Sequence, residues 1–383
     1  MKQLERRQLV ERVDAALRRQ PVCVLLGPRQ CGKTSLARRI AARRKAHWFD
    51  LETAAGFRAL ENPEQALSDL DGLVIIDEAQ RRPELFTALR PLVDRPGHRT
   101  RFLLLGSVSP ELVRGVSESL AGRAHYLEMS GFSLREVGAK NIRRLWLRGG
   151  YPPAYLAHSA EESLRWREDL MRSVVERDLP QLGIRIAPAA LTRFWQMVAH
   201  LHGQLWNGSE LARSLSVTEP VVRRYLDVLS GAFVLRALPP WFENIAKRQY
   251  KTPKVYVRDS GLFHALLGIA THQDLSSRPQ LGFSWDGFVV ESLIGAAPEA
   301  QPYFWRTQGG AELDLLLMRR GKRVGFELKE GDAPGMTKSL HAALSDLSLA
   351  RAYIVYPGQN RYRVHEKVEV VPVDEAVLAA ADL

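Results

Sequence analysis

Four short apolar runs punctuate the first third of the chain: VCVLLG (22–27), HWFDL (47–51), LVIIDE (73–78) and FLLLGS (102–107). Each is continuous and rich in leucine or β-branched residues, which predicts strands buried on both faces. The stretches between them, KTSLARRIAARRK (33–45) and PELFTALRPLVD (83–94), carry amphipathic helix signals. Strands alternating with helices imply a mostly parallel sheet covered on both sides, an α/β architecture. From about residue 141 to 240 the texture becomes helical. Strand patterns return around YFWRT (303–307), AELDLLLM (311–318), RVGFELKE (323–330) and RAYIVYP (351–357). Three modules are expected: α/β over residues 1–140, helical over 141–240, and α+β over 241–383. Pro239-Pro240 and the stretch Gly268–Gly282 carry the backbone breakers of hinges.

Composition narrows the setting. No apolar run approaches the roughly 18 residues of a membrane span, and the charged start MKQLERRQLVERVDAALRRQ lacks the apolar core of a signal peptide. A soluble, cytoplasmic protein is therefore expected. Cys23 and Cys31, the only cysteines of the 383 residues, supply neither a disulfide framework nor a cysteine-based zinc site. Lys plus Arg (54) exceed Asp plus Glu (43), a net charge of +11. That charge concentrates polyanions near the surface, and nucleic acid is the usual one.

Gly27, Pro28, Arg29, Gln30, Cys31, Gly32, Lys33 and Thr34 spell G-x-x-x-x-G-K-[ST] between a predicted strand and a predicted helix, with Ser35 following. The glycines let backbone N–H groups turn inward around phosphates, and the helix N-terminus adds positive potential. Lys33 is placed to reach the β- and γ-phosphates of a nucleotide, and the Thr34 hydroxyl to ligate Mg²⁺. LVIIDEAQ (73–80) is an apolar strand ending in two acids, the form of a Walker B element. There Asp77 is expected to hold the magnesium through water, and Glu78 to polarise the attacking water. Ser107, at the end of FLLLGS, is a candidate sensor of the γ-phosphate.

In the helical middle, NGSELARSLSVTEPVVRRYLDVLSGAFVLRALPP (207–240) has a helix-turn-helix rhythm. Ser209 and Thr218 are expected to cap its two helices, with Pro220 in the first turn of the second. Val222, Leu226 and Leu229 would face the core, leaving Arg223 and Arg224 beside the apolar stripe for DNA phosphates.

In the last third, strand alternation places Asp314 on one face with Glu312 and Leu316. Glu327 and Lys329, two apart, share a direction, while Phe326 and Leu328 point into the opposite layer. A hairpin turn around Gly321 would bring the two strands together. Asp314, Glu327 and Glu291, the last from the helical stretch DGFVVESLIG (286–295), are candidate ligands for one or two Mg²⁺ ions, with Lys329 orienting a water. Arg306 and Gln308 are candidates for the same groove.

GPRQCGKT, DEAQRRPEL, LLLGS, ESLAGR, GGYPP (149–153) and ERDLP (176–180) occur in the order of a known family. The chain resembles the bacterial and archaeal AAA-type P-loop ATPases that end in a restriction-endonuclease-like domain, nearly from end to end. The resemblance implies ATP and Mg²⁺ as cofactors and a winged helix in the middle. It also implies a PD-(D/E)xK-like fold at the C-terminus, although Leu313 rather than proline precedes Asp314. Arg123, within SLAGR, becomes the candidate arginine finger and Arg177-Asp178 its competitor. A finger acting between subunits would favour a homo-oligomer, such as a ring. The expected function is ATP-driven remodelling of, or translocation on, branched or broken DNA. An ATP-gated metal-dependent nuclease and a nucleotide-dependent switch binding protein partners are the alternatives.

Overall fold

A computed structural model describes residues 4–97, 99–107, 116, 118–242 and 252–383. It divides into two units, Met1–Gly131 with Gly231–Phe233, and Phe132–Ser230 with Val234–Leu383.

The first unit is built on five parallel strands: β1 (Val22–Leu26), β2 (Ala46–Asp50), β3 (Leu73–Asp77), β4 (Arg101–Gly106) and β5 (Ala124–Glu128), in the order β2-β3-β4-β1-β5. Alternation sorts their side chains into two layers. Val22, Val24, Val74, Ile76, Phe102 and Leu104 pack on one side with Leu85, Phe86 and Leu89 of the helix Glu84–Asp94. Cys23, Leu25, Ile75, Leu103 and Leu105 pack on the other. There they meet Leu36 and Ile40 of the helix Lys33–Ala41 and Val10 and Val13 of the helix Arg7–Arg19. Each such side chain contributes roughly 1.5–3 kcal/mol by leaving water. Two details depart from the sequence pattern. β2 is an edge strand and only half-buried. β5, which the apolar-run criterion passes over, is the other edge and carries exposed Tyr126 and Glu128. The strand order has one functional consequence: β4 lies between β1 and β3, so Ser107 emerges between the turn after β1 and the acids after β3.

In the second unit, the helix Pro188–His200 is followed by β6 (Gln204–Leu205), the helices Gly208–Leu215 and Glu219–Gly231, β7 (Leu235–Leu238) and β8 (Lys254–Val257). The three strands are antiparallel, in the order β6-β8-β7. Val222, Leu226 and Leu229 are buried as expected, joined by Tyr225. The first helix of the pair is capped by Asn207, whose side chain accepts the Glu210 N–H, rather than by Ser209. The Ser209 hydroxyl instead donates to Asn207 Oδ1.

The expected module boundary at residue 240 needs correction, because β7 and β8 lie on either side of it and pair. Nor is Pro239-Pro240 a free hinge. The Phe304 N–H donates to Pro239 O, and Trp241 N–H donates to Phe304 O.

The C-terminal part runs helix Leu281–Ala296, β9 (Gln301–Arg306), β10 (Glu312–Arg319), β11 (Lys322–Leu328), helix Lys338–Asp346, β12 (Arg351–Tyr356), β13 (Tyr362–His365), β14 (Val368–Pro372) and helix Val373–Ala381. Its six strands are ordered β13-β14-β12-β11-β10-β9. Arg320 and Gly321 both take positive φ, 50° and 78°, so β10 and β11 are joined by the two-residue turn that suits strand twist. The pairing of β10 with β9 shifts register between Leu313 and Leu316. Both leucines therefore enter the same core cluster, and Leu316 does not share the face of Asp314 as strict alternation had it.

The GGYPP segment is structural. Gly149 has φ 74°, and a Cβ there would collide with the Asp259 carboxylate. That carboxylate accepts the Gly150 N–H at 2.7 Å and caps the helix Ser260–Leu266 through the Leu262 N–H at 2.9 Å.

Candidate functional site

The turn between β1 and the helix Lys33–Ala41 is shaped by its glycines. Gly32 has φ 100°, a conformation strained for any residue with a Cβ. A Cβ on Gly27 would collide with the Met129 carbonyl oxygen. The buried Cys31 thiol lies 3.5 Å from that same oxygen, and Gln30 adopts φ 60°. Beneath the turn, the buried Arg6 guanidinium donates to Cys31 O at 3.1 Å, to Ser130 O at 3.1 Å and to Gly131 O at 2.8 Å. Sequence reading did not single out this arginine, because its partners lie up to 125 positions away.

Lys33 is buried, and its ammonium donates to Gly27 O and Pro28 O, both at 2.9 Å. These carbonyls occupy donors that phosphate oxygens would take. Arg29 reaches outward to Glu52 at 2.5 Å, and Ser35 is exposed.

The strand order brings Asp77 to Thr34, whose hydroxyl donates to Asp77 Oδ2 at 2.9 Å. Burial pushes the Asp77 carboxyl up to about 6. The Thr34 hydrogen bond works against that rise, and the neighbouring charges of Glu78 and Asp50 add to it. A cation bound between Thr34 and Asp77 would reverse the shift. The fit to a nucleotide with magnesium is thus carried by a hydroxyl–carboxylate pair, a lysine head resting on carbonyls and a glycine-lined turn. Bound there, Mg²⁺ and ATP supply the phosphoryl group and the charge that neutralises it.

Glu78 follows β3 in a left-handed conformation, φ 55°. Its Oε2 accepts from the Ser107 hydroxyl at 3.3 Å and from the Gln80 amide. Ser107 thus meets the Walker B glutamate, as its place at the tip of β4 predicts. Arg123 lies elsewhere: its Nε and Nη2 donate to the two Asp94 oxygens at 2.6 and 2.8 Å. Arg177 pairs with the adjacent Asp178 at 3.1 Å, in a π-helical turn over Val174–Asp178.

The acids of the second unit do not assemble as expected. Among the described residues no group of three or more His, Cys, Asp or Glu side chains is spaced to hold a metal ion. Glu291, a candidate ligand, is instead half-buried against two arginines. Arg236 donates to both its oxygens, at 2.9 Å to Oε2, and Arg258 Nε donates to Oε2 at 3.2 Å. Burial alone would push its carboxyl up, but the two guanidiniums hold it below the usual carboxylate range.

Glu327 and Lys329 do share a direction and pair at 2.9 Å. The Thr337 hydroxyl also engages Glu327, lying 3.0 and 2.9 Å from its two oxygens. Asp314 Oδ2 accepts the Leu328 N–H at 2.9 Å. The cation beside Asp314 is a lysine: buried Lys254 pairs with Glu312 and stands 3.7 Å from Asp314 Oδ1. Arg306 reaches Glu312 from the other side at 3.4 Å.

The helix acid whose charge is felt with Asp314's is Asp286, while Glu291 is engaged by Arg236 and Arg258. Burial, then the Asp314 charge, push the Asp286 carboxyl well up. The two acids are five positions apart, about 140° around a helix, so only one of them can face the strands. Lys254 had no such signal in the sequence, since it arrives from β8.

Residues 19–138 match the family described as AAA domain. Residues 139–273 and 281–376 match two families each described as a domain of unknown function, DUF8612 and DUF4143. An uncharacterised protein of Mycobacterium tuberculosis is 50% identical over 372 residues, covering 97% of this chain and 84% of the relative. An uncharacterised protein of Mycobacterium bovis matches with the same identity and coverage. Among solved structures, a Walker-type ATPase of Pyrococcus abyssi aligns over 69% of this chain and 96% of its own, at 18% identity and a TM-score of 0.48. No helix among the described residues is long and apolar enough to cross a membrane.

Proposed function

Because the chain belongs to the family of these mycobacterial relatives, and residues 19–138 form an AAA-type P-loop ATPase domain, we propose that its ATP cycle acts on DNA. ATP and Mg²⁺ bind Gly27–Thr34 with Asp77. Glu78 polarises the attacking water, and hydrolysis drives remodelling of, or translocation on, branched or broken duplex. The observation that carries the DNA half is the exposed pair Arg223 and Arg224 on the helix Glu219–Gly231, in a chain of net charge +11. The order helix, β6, helix, helix, β7, β8 supports a winged-helix reading, whose second paired helix enters a major groove. Arg223 also meets Asp227 at 3.3 Å, an exposed pair that phosphate displaces at little cost.

The order helix, three strands, helix, strand from Leu281 to Tyr356 supports an endonuclease-like fold. Lys254, Thr337, Arg236 and Arg258 already engage its carboxylates, which favours a DNA-binding platform over a cutting site. The exposed Arg123–Asp94 pair also breaks at little cost, so Arg123 is free to serve as the finger for a neighbouring copy in a homo-oligomer.

Salt dependence tests the arginine assignment. Each neutralised phosphate adds about 0.9 to the slope of log affinity against log salt, so replacing Arg223 and Arg224 with alanine should flatten it by about two. Affinity should fall on duplexes of any sequence. An unchanged affinity and slope would move the DNA surface off this helix.

A further inference from the structure

We propose that Gln80 is a positioning residue for ATP hydrolysis, holding the Glu78 carboxylate through its side-chain amide. The inference rests on the ATPase reading of Asp77 and Glu78. It starts from the backbone. β3 ends at Asp77, Glu78 takes the left-handed conformation, and Ala79–Arg81 form one 3₁₀ turn. This sharp reversal returns Gln80 toward the glutamate two positions before it.

The Gln80 amide nitrogen has two protons and uses both. One is donated to Glu78 Oε2, the other to Ser107 Oγ at 3.2 Å. Ser107, having accepted that bond, donates its own proton to Glu78 Oε2 at 3.3 Å. The three side chains close a triangle in which every donor has one acceptor. Oε2 receives two donors, and no hydrogen bond to Oε1 is formed among the described residues. A carboxylate fixed through one oxygen presents the other in a set direction, which is what polarising a water requires.

The opposite end of the amide argues the same way. Gln80 Oε1 is buried without a hydrogen-bond partner among the described residues, an arrangement that costs free energy. A residue chosen only for packing would be apolar here. What the amide does supply is its nitrogen, which bonds both Glu78 and Ser107. No carboxylate can replace it, since a second acid at this position would face Glu78 with like charge.

The test compares Gln80→Met, which keeps length and removes both donors, with Gln80→Glu, which sets a second carboxylate against Glu78. Steady-state turnover is read beside the Kd for a fluorescent ATP analogue and the unfolding temperature. Gln80→Met should lower kcat about 10- to 100-fold, the cost of a misaimed group, with Kd and unfolding temperature unchanged. Gln80→Glu should lower kcat further. Ser107→Ala combined with Gln80→Met should lose less than the product of the single losses, because both act through one carboxylate.

An unchanged or raised kcat in Gln80→Met would overturn the proposal. So would a Kd that weakens in step with kcat, or losses that multiply in the double variant. Normal turnover in Glu78→Gln would instead unseat the ATPase reading itself. If Glu78→Gln is inactive and Gln80→Met is as fast as the parent, only the Gln80 inference fails.

Discussion

Replacing Lys33 with alanine abolishes nucleotide binding or turnover, and Glu78→Gln leaves binding intact while stopping hydrolysis. The first follows from charge. Lys33 is a buried cation whose ammonium rests on Gly27 O and Pro28 O of the glycine-lined turn only until phosphate oxygens replace them. Removing one preorganised donor of this kind typically costs about 10²–10³ in rate. The second follows from proton chemistry. Glutamine keeps the shape of Glu78 but cannot polarise or accept from water, a loss of about 10²–10⁴ for a general base. Equilibrium titration with a fluorescent ATP analogue separates the two variants, and phosphate release reads both. Normal turnover in either would remove that residue from the site.

Glu291→Ala should destabilise the second unit. The variant removes the one carboxylate to which half-buried Arg236 and Arg258 are both seen to donate. Breaking a fully buried ion pair from one side costs about 3–5 kcal/mol, and this half-buried cluster should lose somewhat less, still a sizeable part of the roughly 5–15 kcal/mol of a typical domain. The midpoint of urea unfolding should drop accordingly. If Glu291 were a metal ligand, Glu291→Ala would weaken Mn²⁺ binding and leave the midpoint in place.

These two sites also show how much the sequence disclosed. Lys33 and Thr34 were legible because a P-loop is local, a strand end, two glycines and a helix start, while Asp77, Glu78 and Ser107 were legible because each stands at the end of an apolar strand. The order of strands supplied the rest of the geometry. Glu291 was misplaced because DGFVVESLIG holds two acids in an apolar helix, and periodicity says they face different ways without saying which way is inward. The answer depends on Arg236 and Arg258, which the sequence sets 55 and 33 positions away. Lys254 illustrates the same limit, since only the fold brings it from β8 to Glu312 and Asp314. The face of Leu316 was misread for a smaller reason, a shift in strand pairing that strict alternation does not anticipate. Gln80 stood in plain view within DEAQ, but its role depends on Ser107, 27 positions on.

Whether DNA drives this ATPase is read from the rate of ATP hydrolysis with and without it. Single-stranded, duplex and branched DNA are each added at low salt, where phosphate contacts are strongest. Hydrolysis should be measurable with the protein alone, faster with DNA and fastest with branched or broken duplex. The stimulation should disappear as salt rises and be lost in Lys33→Ala. A rate that no DNA changes at any salt concentration would contradict the coupling of this ATPase to nucleic acid.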